Sequence, residues 1–303
     1  MRLVTYSKMG VPSIGVELPG GVLDIPDAAS RFGRTYHIRG LSFPNEILDL
    51  LDWEAGLDVV RQIVERYTRS SPSERPILLP YDSVRLEAPV PRPRKIIALG
   101  LNYRDHVEET GQQIPDHPII FAKFSSSVVG PDALIRKPRG TDKIDWEVEL
   151  GVVIGRTCRN VPEKSALDYV AGYTIVNDLT ARDLQKSDGQ WVRAKSLDGF
   201  CPMGPAIVTV DELGDGSGLR LQTHVNGVLK QDSNTSNMIF TVPQIVSYLS
   251  QYLTLEPGDV IATGTPSGVG FTRKPPEYLR PGDEVTLTIE RIGTLRSFIV
   301  SPD

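Results

Sequence analysis

The sequence predicts a strand-dominated α+β protein led by a small mixed N-terminal unit. Three observations carry this. From Lys95 onward, short runs rich in β-branched and aromatic residues alternate with Gly, Pro and Asp turns. One amphipathic helix, "VPQIVSYLSQYL" at 242–253, interrupts them. Ahead of Lys95 lies "SSPSERPILLPYDSVRLEAPVPRPR", dense in Pro and Ser and without helical period.

Residues 1–27 alternate the β-like stretches "RLVTYS", "SIGVEL" and "GVLDI" with Gly and Pro turns, and residues 44–68 read as two helices with Leu, Ile and Val at helical spacing. These define a small mixed domain over residues 1–75, followed by a Pro-rich linker over 76–94 and a candidate catalytic domain over 95–303. Its strands are "KIIALGL", "PIIFAKF", "WEVELGVVIG", "VAGYTIVND", "RLQTHVNG", "DVIATGT" and "EVTLTIERIGTLRSFIV". The helix carries Ile245, Val246, Leu249 and Leu253 on one face, with Pro243 in its first turn and Pro257-Gly258 beyond its end. Two late strands are each launched by a Pro-Gly-Asp turn, "EPGDVI" and "RPGDEV", a shared turn solution and not a repeat.

Length and charge exclude several functions. A chain of 303 residues with 40% apolar content is large enough for a sizeable core. Its formal net charge of −5 is spread over interspersed signs, so no basic stripe exists to neutralise a row of phosphates, and nucleic acid is excluded as a partner. The apolar runs fall short of a membrane span, and "MRLVTYSKMG" has no signal-peptide core, so a cytoplasmic location is expected. The two cysteines, Cys158 and Cys201, make neither a disulfide framework nor a multi-cysteine zinc site, and no base lies near Cys201 in sequence to activate it. Cys201 is read as a buried structural thiol.

The stretch "DWEVELGVVIG", 145–155, departs from ordinary patterning. On a strand, Asp145, Glu147 and Glu149 share one face and Trp146, Val148 and Leu150 the other. A solvated face would account for the acids, but that face continues as Gly151, Val153 and Gly155. Two carboxylates about 6.5 Å apart repel by roughly 2.5 kcal/mol at an effective dielectric of ~20. A divalent cation would compensate, and oxygen-only ligands without His or Cys suit Mg²⁺, Mn²⁺ or Ca²⁺ more than Zn²⁺. A third carboxylate, Asp178, closes the strand "YTIVND".

After "KIIALGL" comes the polar helix "NYRDHVEETG", with Asn102 expected as N-cap and Gly111 as stop. His106 and Glu109, three apart, share a face, so the carboxylate can orient the imidazole for taking a proton from water. A solvated helix with an incidental ion pair has the same pattern. Few apolar residues anchor this segment, which predicts a weakly held, lid-like element. His37, His117 and His224 have no comparable partner.

Taken together, "GLNYRDHVEE", "DWEVELGVVIG", "NDLTARDLQ", "AKSLDGFCPMGP" and "ATGTPSGVG" resemble the fumarylacetoacetate hydrolase family over about residues 95–297. The first 90 residues resemble the variable leading domain of bacterial members. The resemblance implies a mixed β-sandwich roll, a single Mg²⁺ or Mn²⁺, and a homodimer. It places the metal ligands on Glu147, Glu149 and Asp178, leaving Asp145 as the polar entrance of its strand. It places the proton-transfer pair on His106 and Glu109, with Glu108 adjacent, and gives Lys195 a catalytic charge. Substrate contacts fall on Arg182, Gln185, Gly264 and Thr265, with Lys123 of "FAKF" a further candidate. Arg182 has a second reading, as the ion-pair partner of a neighbouring acid.

The reaction this implies is hydrolysis of a carbon–carbon bond in a 2,4-dioxo acid, such as an acylpyruvate or a diketo sugar acid. Metal and Lys195 would stabilise the departing enolate, and His106 would activate the water. Oxaloacetate decarboxylation, dehydration of a 3-deoxy-2-oxo acid and keto–enol isomerisation pass through the same enolate and form the alternative.

Overall fold

The computed structural model describes residues 1–32 and 43–302; His37 lies outside the described residues. The chain begins with three antiparallel strands, β1 (Arg2–Lys8), β2 (Val11–Leu18) and β3 (Gly21–Asp24). The strand expected through Ile25 stops one residue earlier, because the Asp24 side chain accepts from Asp27 N at 2.8 Å and caps α1 (Ile25–Arg31). The two expected helices follow as α2 (Ile47–Asp52) and α3 (Gly56–Arg69). The Pro-rich segment holds a short strand, β4 (Arg85–Leu86), paired with β1.

Next come β5 (Ile96–Gly100), α4 (Arg104–Thr110), β6 (Ile119–Lys123), β7 (Val128–Val129) and β8 (Ala133–Arg136). The acidic stretch is split between β9 (Ile144–Asp145) and β10 (Val148–Ile154). It is followed by β11 (Val170–Asn177), β12 (Thr180–Ala181), α5 (Arg182–Asp188), α6 (Trp191–Lys195), β13 (Cys201–Thr209) and α7 (Val210–Leu213). The chain ends with β14 (Arg220–Val225), β15 (Val228–Asn234), α8 (Val242–Tyr252), β16 (Val260–Ala262), β17 (Glu284–Ile289) and β18 (Gly293–Val300).

Two sheets dominate. The larger has the order β3-β2-β1-β13-β11-β10-β16-β5-β6, and the smaller the order β15-β14-β17-β18-β8. They share a core in which Val148, Leu150, Val152 and Ile154 of β10 meet Leu221, Leu287 and Leu295, with Ile245, Val246 and Leu249 of α8 closing it. The opposite face of the large sheet, including Val153, Val176 and Ile207, packs with Leu50, Val60 and Ile63 of α2 and α3. The face of β10 that continues past Glu149 is therefore covered by the N-terminal helices, which explains its apolar Val153.

Sheet hydrogen bonding and core packing both cross the expected linker, since β1 pairs with β13 through Leu3 opposite Ile207. The two Pro-Gly-Asp turns use one device. Asp259 accepts from Glu256 N at 2.7 Å and Asp283 from Arg280 N at 2.7 Å, so each aspartate closes its own turn before a strand.

Candidate metal centre and active site

Glu149 lies within β10, Glu147 in the break before it, and Asp178 just past the end of β11, where its N–H bonds Glu147 O at 3.0 Å. Antiparallel pairing of Val148 with Asn177 brings the three acids to one spot. One carboxylate oxygen from each lies within 4.8 Å of the others, and all three residues are buried. Burial pushes the Glu149 carboxyl well above the usual range, and the carboxylates of Asp178 and Glu147 push it further. Burial also acts to raise Glu147, but Lys195 and Arg182 outweigh it and hold that carboxyl low. Of the three, Glu149 alone has no cation in contact among the described residues.

Three buried cations surround the acids. Lys195, at the end of α6, spends its three donors on Glu147 Oε2 at 2.9 Å, Asp178 Oδ2 at 2.6 Å and Thr180 Oγ1 at 2.7 Å. Arg182 opens α5 and bonds Glu147 Oε1 through Nη2, Asp145 Oδ2 at 2.8 Å through Nε, and Gln185 Oε1 at 3.1 Å through Nη1. Lys123 donates to Asp178 Oδ1 at 2.6 Å and to Lys195 O. Its side chain is fully buried and braces the Asp178 carboxylate; like Asp178, it is not part of the cavity wall.

Asp145 corrects one expectation. It is not a polar entrance to the strand but is fully buried, and it takes the Arg182 guanidinium together with the amides of Gly270 and Phe271. The polypeptide folds back over this end of the strand, a long-range contact that local alternation does not reveal.

On α4, His106 Nδ1 stands 3.3 Å from Glu109 Oε2, so Glu109 and not Glu108 reaches the ring. Gly111 ends the helix in the left-handed region, as expected, at φ 66°. Asn102 is not the N-cap, a position held by Tyr103. Its side chain instead bonds Phe240 N at 2.8 Å and Thr263 O at 2.8 Å, tying the helix entrance to the end of β16. The expected weak anchoring also fails: Tyr103 and Val107 are buried, Arg104 bonds Met238 O at 2.7 Å, and Asp105 bonds Ser233 Oγ at 2.5 Å.

Gly264 donates its N–H to Glu149 Oε2 at 2.8 Å and so holds a metal-ligand candidate in place. Its φ is 95°, which suits glycine. Thr265 follows, its hydroxyl accepting from Gln231 Nε2 at 2.8 Å. Glu147, Glu149, His106, Arg182, Gln185, Lys195 and Thr265 all line one cavity of about 270 Å³. Sequence reasoning missed its other walls. Phe121 lies under the Lys195 ammonium at 5.0 Å and meets Trp191 edge-on, while Phe271 lies under Arg182 at 4.3 Å. Lys186 also lines the cavity, and its position four residues after Arg182 on one helix face was a usable signal.

The other reactive candidates lie outside this cavity. Burial pushes the Cys158 and Cys201 thiols up to about 11 and about 12, consistent with structural roles. His117 stacks on Tyr248, and His224 sits on β14.

A family model described as the fumarylacetoacetate (FAA) hydrolase C-terminal region matches residues 95–300. The chain belongs to the fumarylacetoacetate hydrolase family. Among family relatives, it is 40% identical over 306 residues to a mitochondrial oxaloacetate tautomerase of Rattus norvegicus, covering 99% of this chain and 92% of that one. The structure of a fumarylacetoacetate hydrolase from Exiguobacterium antarcticum is 37% identical, with a TM-score of 0.82 over 99% of both chains. A maleylpyruvate hydrolase from Sphingobium sp. SYK-6, in complex with manganese(II) ion and pyruvate, is 29% identical, with a TM-score of 0.78 over the whole of both chains.

The strand-dominated α+β architecture is that of the family. Three converging carboxylates, all oxygen donors and one of them with no cation in contact among the described residues, fit a hard divalent cation. Among the described residues, no helix is long and apolar enough to cross a membrane.

Proposed function

We propose that this protein is a metal-dependent enzyme that interconverts the keto and enol forms of a short 2-oxo dicarboxylate such as oxaloacetate. The observation that carries this reading is one small cavity lined by Glu147, Glu149, the buried Arg182 and His106, with Asp178 completing the carboxylate triad and Glu109 bonded to the imidazole. A volume of about 270 Å³ lies just below the roughly 300–1,000 Å³ usual for ligand sites, which favours a short acid. Similarity along almost the full length to an oxaloacetate tautomerase supports the same choice.

Glu147, Glu149 and Asp178 would hold Mg²⁺ or Mn²⁺, which supplies Lewis-acid stabilisation of the negative charge that develops on the 2-oxo oxygen. The chain's own residues do the rest. Arg182, locked by Asp145 and Glu147, presents a fixed cationic edge to a substrate carboxylate, and Gln185 adds a polar contact beside it. Glu109 engages Nδ1 of His106, which leaves Nε2 to take a proton from the carbon next to the oxo group. Burial acts to raise the Glu109 carboxyl, but donors from His106, Thr272 and Gly268 hold it low, so it stays charged beside the imidazolium that forms. Lys195 adds positive charge where the enolate oxygen would lie. Phe121, Trp191 and Phe271 limit water at the reacting carbon.

The second reading is carbon–carbon hydrolysis of a 2,4-dioxo acid, favoured by the same His106–Glu109 pair, which can equally take its proton from water. The resemblance to a maleylpyruvate hydrolase supports it. Both readings are tested by supplying the Mg²⁺- or Mn²⁺-loaded protein with oxaloacetate and with acylpyruvates. Loss of enol absorbance without carbon dioxide release is the result expected for a tautomerase. Pyruvate plus a second acid from acylpyruvate would replace it with the hydrolase, and carbon dioxide from oxaloacetate with the decarboxylase. A homodimer and a cytoplasmic location belong to the same proposal, readable by sedimentation and by fractionation.

A further inference from the structure

The two working ends of the cavity are joined by one short piece of backbone. Asp145 accepts at all four of its lone-pair positions: Oδ1 from Trp146 N at 2.9 Å and Gly270 N at 2.6 Å, Oδ2 from Arg182 Nε at 2.8 Å and Phe271 N at 3.1 Å. One buried carboxylate thus grips both Arg182 and the segment whose Phe271 ring covers that guanidinium. Glycine is required at 270, because a Cβ there would stand 2.7 Å from Asp145 Oδ1 and 2.1 Å from Glu277 O.

At its other side the same segment holds Glu109. Oε1 of Glu109 accepts from Gly268 N at 2.9 Å and lies 2.7 Å from Thr272 Oγ1, whose single proton is shared between it and Val269 O at 2.8 Å, leaving Oε2 for His106. Trp146 Nε1 pins Gly268 O at 3.2 Å, so the strap is fastened at Trp146 as well as at Asp145.

We propose that residues 268–272 form a strap that sets the Arg182 clamp and the His106–Glu109 pair in register, with Asp145 and Thr272 as its positioning residues. Asp145 orients Arg182 and seats the strap; Thr272 orients Glu109 from that seat. Neither touches the reacting atoms. A displacement at one anchor passes to the other through three residues of backbone, so substrate seating and proton transfer are disturbed together. The kinetic part of this inference rests on the roles given above to Arg182 and His106.

The test compares Thr272→Val, Thr272→Ser and Asp145→Asn in the metal-loaded protein, by kinetics with oxaloacetate and by amide hydrogen exchange. Thr272→Val should lower kcat and raise KM, each by about tenfold, and speed exchange at Gly270 and Phe271 by at least about tenfold. Thr272→Ser should restore both, because it keeps the hydroxyl. Asp145→Asn should speed exchange at Gly268 as well as at Gly270. A Thr272→Val protein that loses kcat alone, with KM and the Gly270 and Phe271 amides unchanged, would overturn the proposal. If the wild type turns over no 2-oxo acid, the functional reading fails; the exchange measurements still decide whether the strap couples its two anchors.

Discussion

Lys195 Nζ lies 2.6 Å from Asp178 Oδ2, and both side chains are sealed from solvent. The same ammonium reaches Glu147 Oε2, so two of the three converging carboxylates share one fixed positive charge while Glu149 has none in contact among the described residues. The acid least compensated by the protein is the one a cation would serve most.

Metal removal follows directly. Treatment with a chelator should abolish turnover, and Mn²⁺ or Mg²⁺ should restore it. Glu149→Gln should weaken Mn²⁺ binding by at least about a hundredfold, read by calorimetry or by manganese spin resonance. Metal affinity near that of the wild type in Glu149→Gln would remove the triad assignment.

His106→Asn separates binding from proton transfer. Because His106 is no member of the triad, Mn²⁺ affinity should stay within about twofold, whereas kcat should fall by about 10²–10⁴. Unchanged kcat would assign the proton to another group.

Arg182→Met should harm both activity and stability. It strands Asp145, fully buried, with its counter-charge gone. Breaking such a pair costs about 3–5 kcal/mol, measurable by urea unfolding. The double variant Arg182→Met with Asp145→Asn, which removes the stranded charge but keeps an acceptor for the Gly270 amide, should recover part of the stability but not activity.

Thiol chemistry offers a check on the core. With Cys158 and Cys201 raised to about 11 and about 12, both remain protonated at pH 8 and should resist iodoacetamide until urea unfolds the protein. Rapid labelling of Cys201 in the native state would contradict its burial at the start of β13.

Much of this site was legible in residue spacing. The alternation of Glu147 and Glu149, the strand end at Asp178 and the three-residue step from His106 to Glu109 are local patterns, and local geometry reproduces them. Asp145 was misread because its partners, Arg182, Gly270 and Phe271, are distant in sequence and arrive by chain reversal. Asn102 was misassigned for the same reason: its side chain serves Phe240 and Thr263 instead of its own helix. Phe121, Trp191 and Phe271 read as ordinary apolar residues until the cavity they enclose is built. The large sheet escaped a segment-by-segment reading because strand order is set by pairings such as Leu3 with Ile207, across some two hundred residues.

That pairing has a practical consequence. Cut away residues 1–94, and β13 loses its neighbour along Ile207 and Val208, while Val176 and Ile207 lose the helices that cover them. A bare strand edge beside a stripped apolar face is a template for association with another chain. The fragment 95–303, although it contains every proposed catalytic group, is therefore expected to aggregate before it can be assayed; the first strand protects the enzyme against self-adhesion.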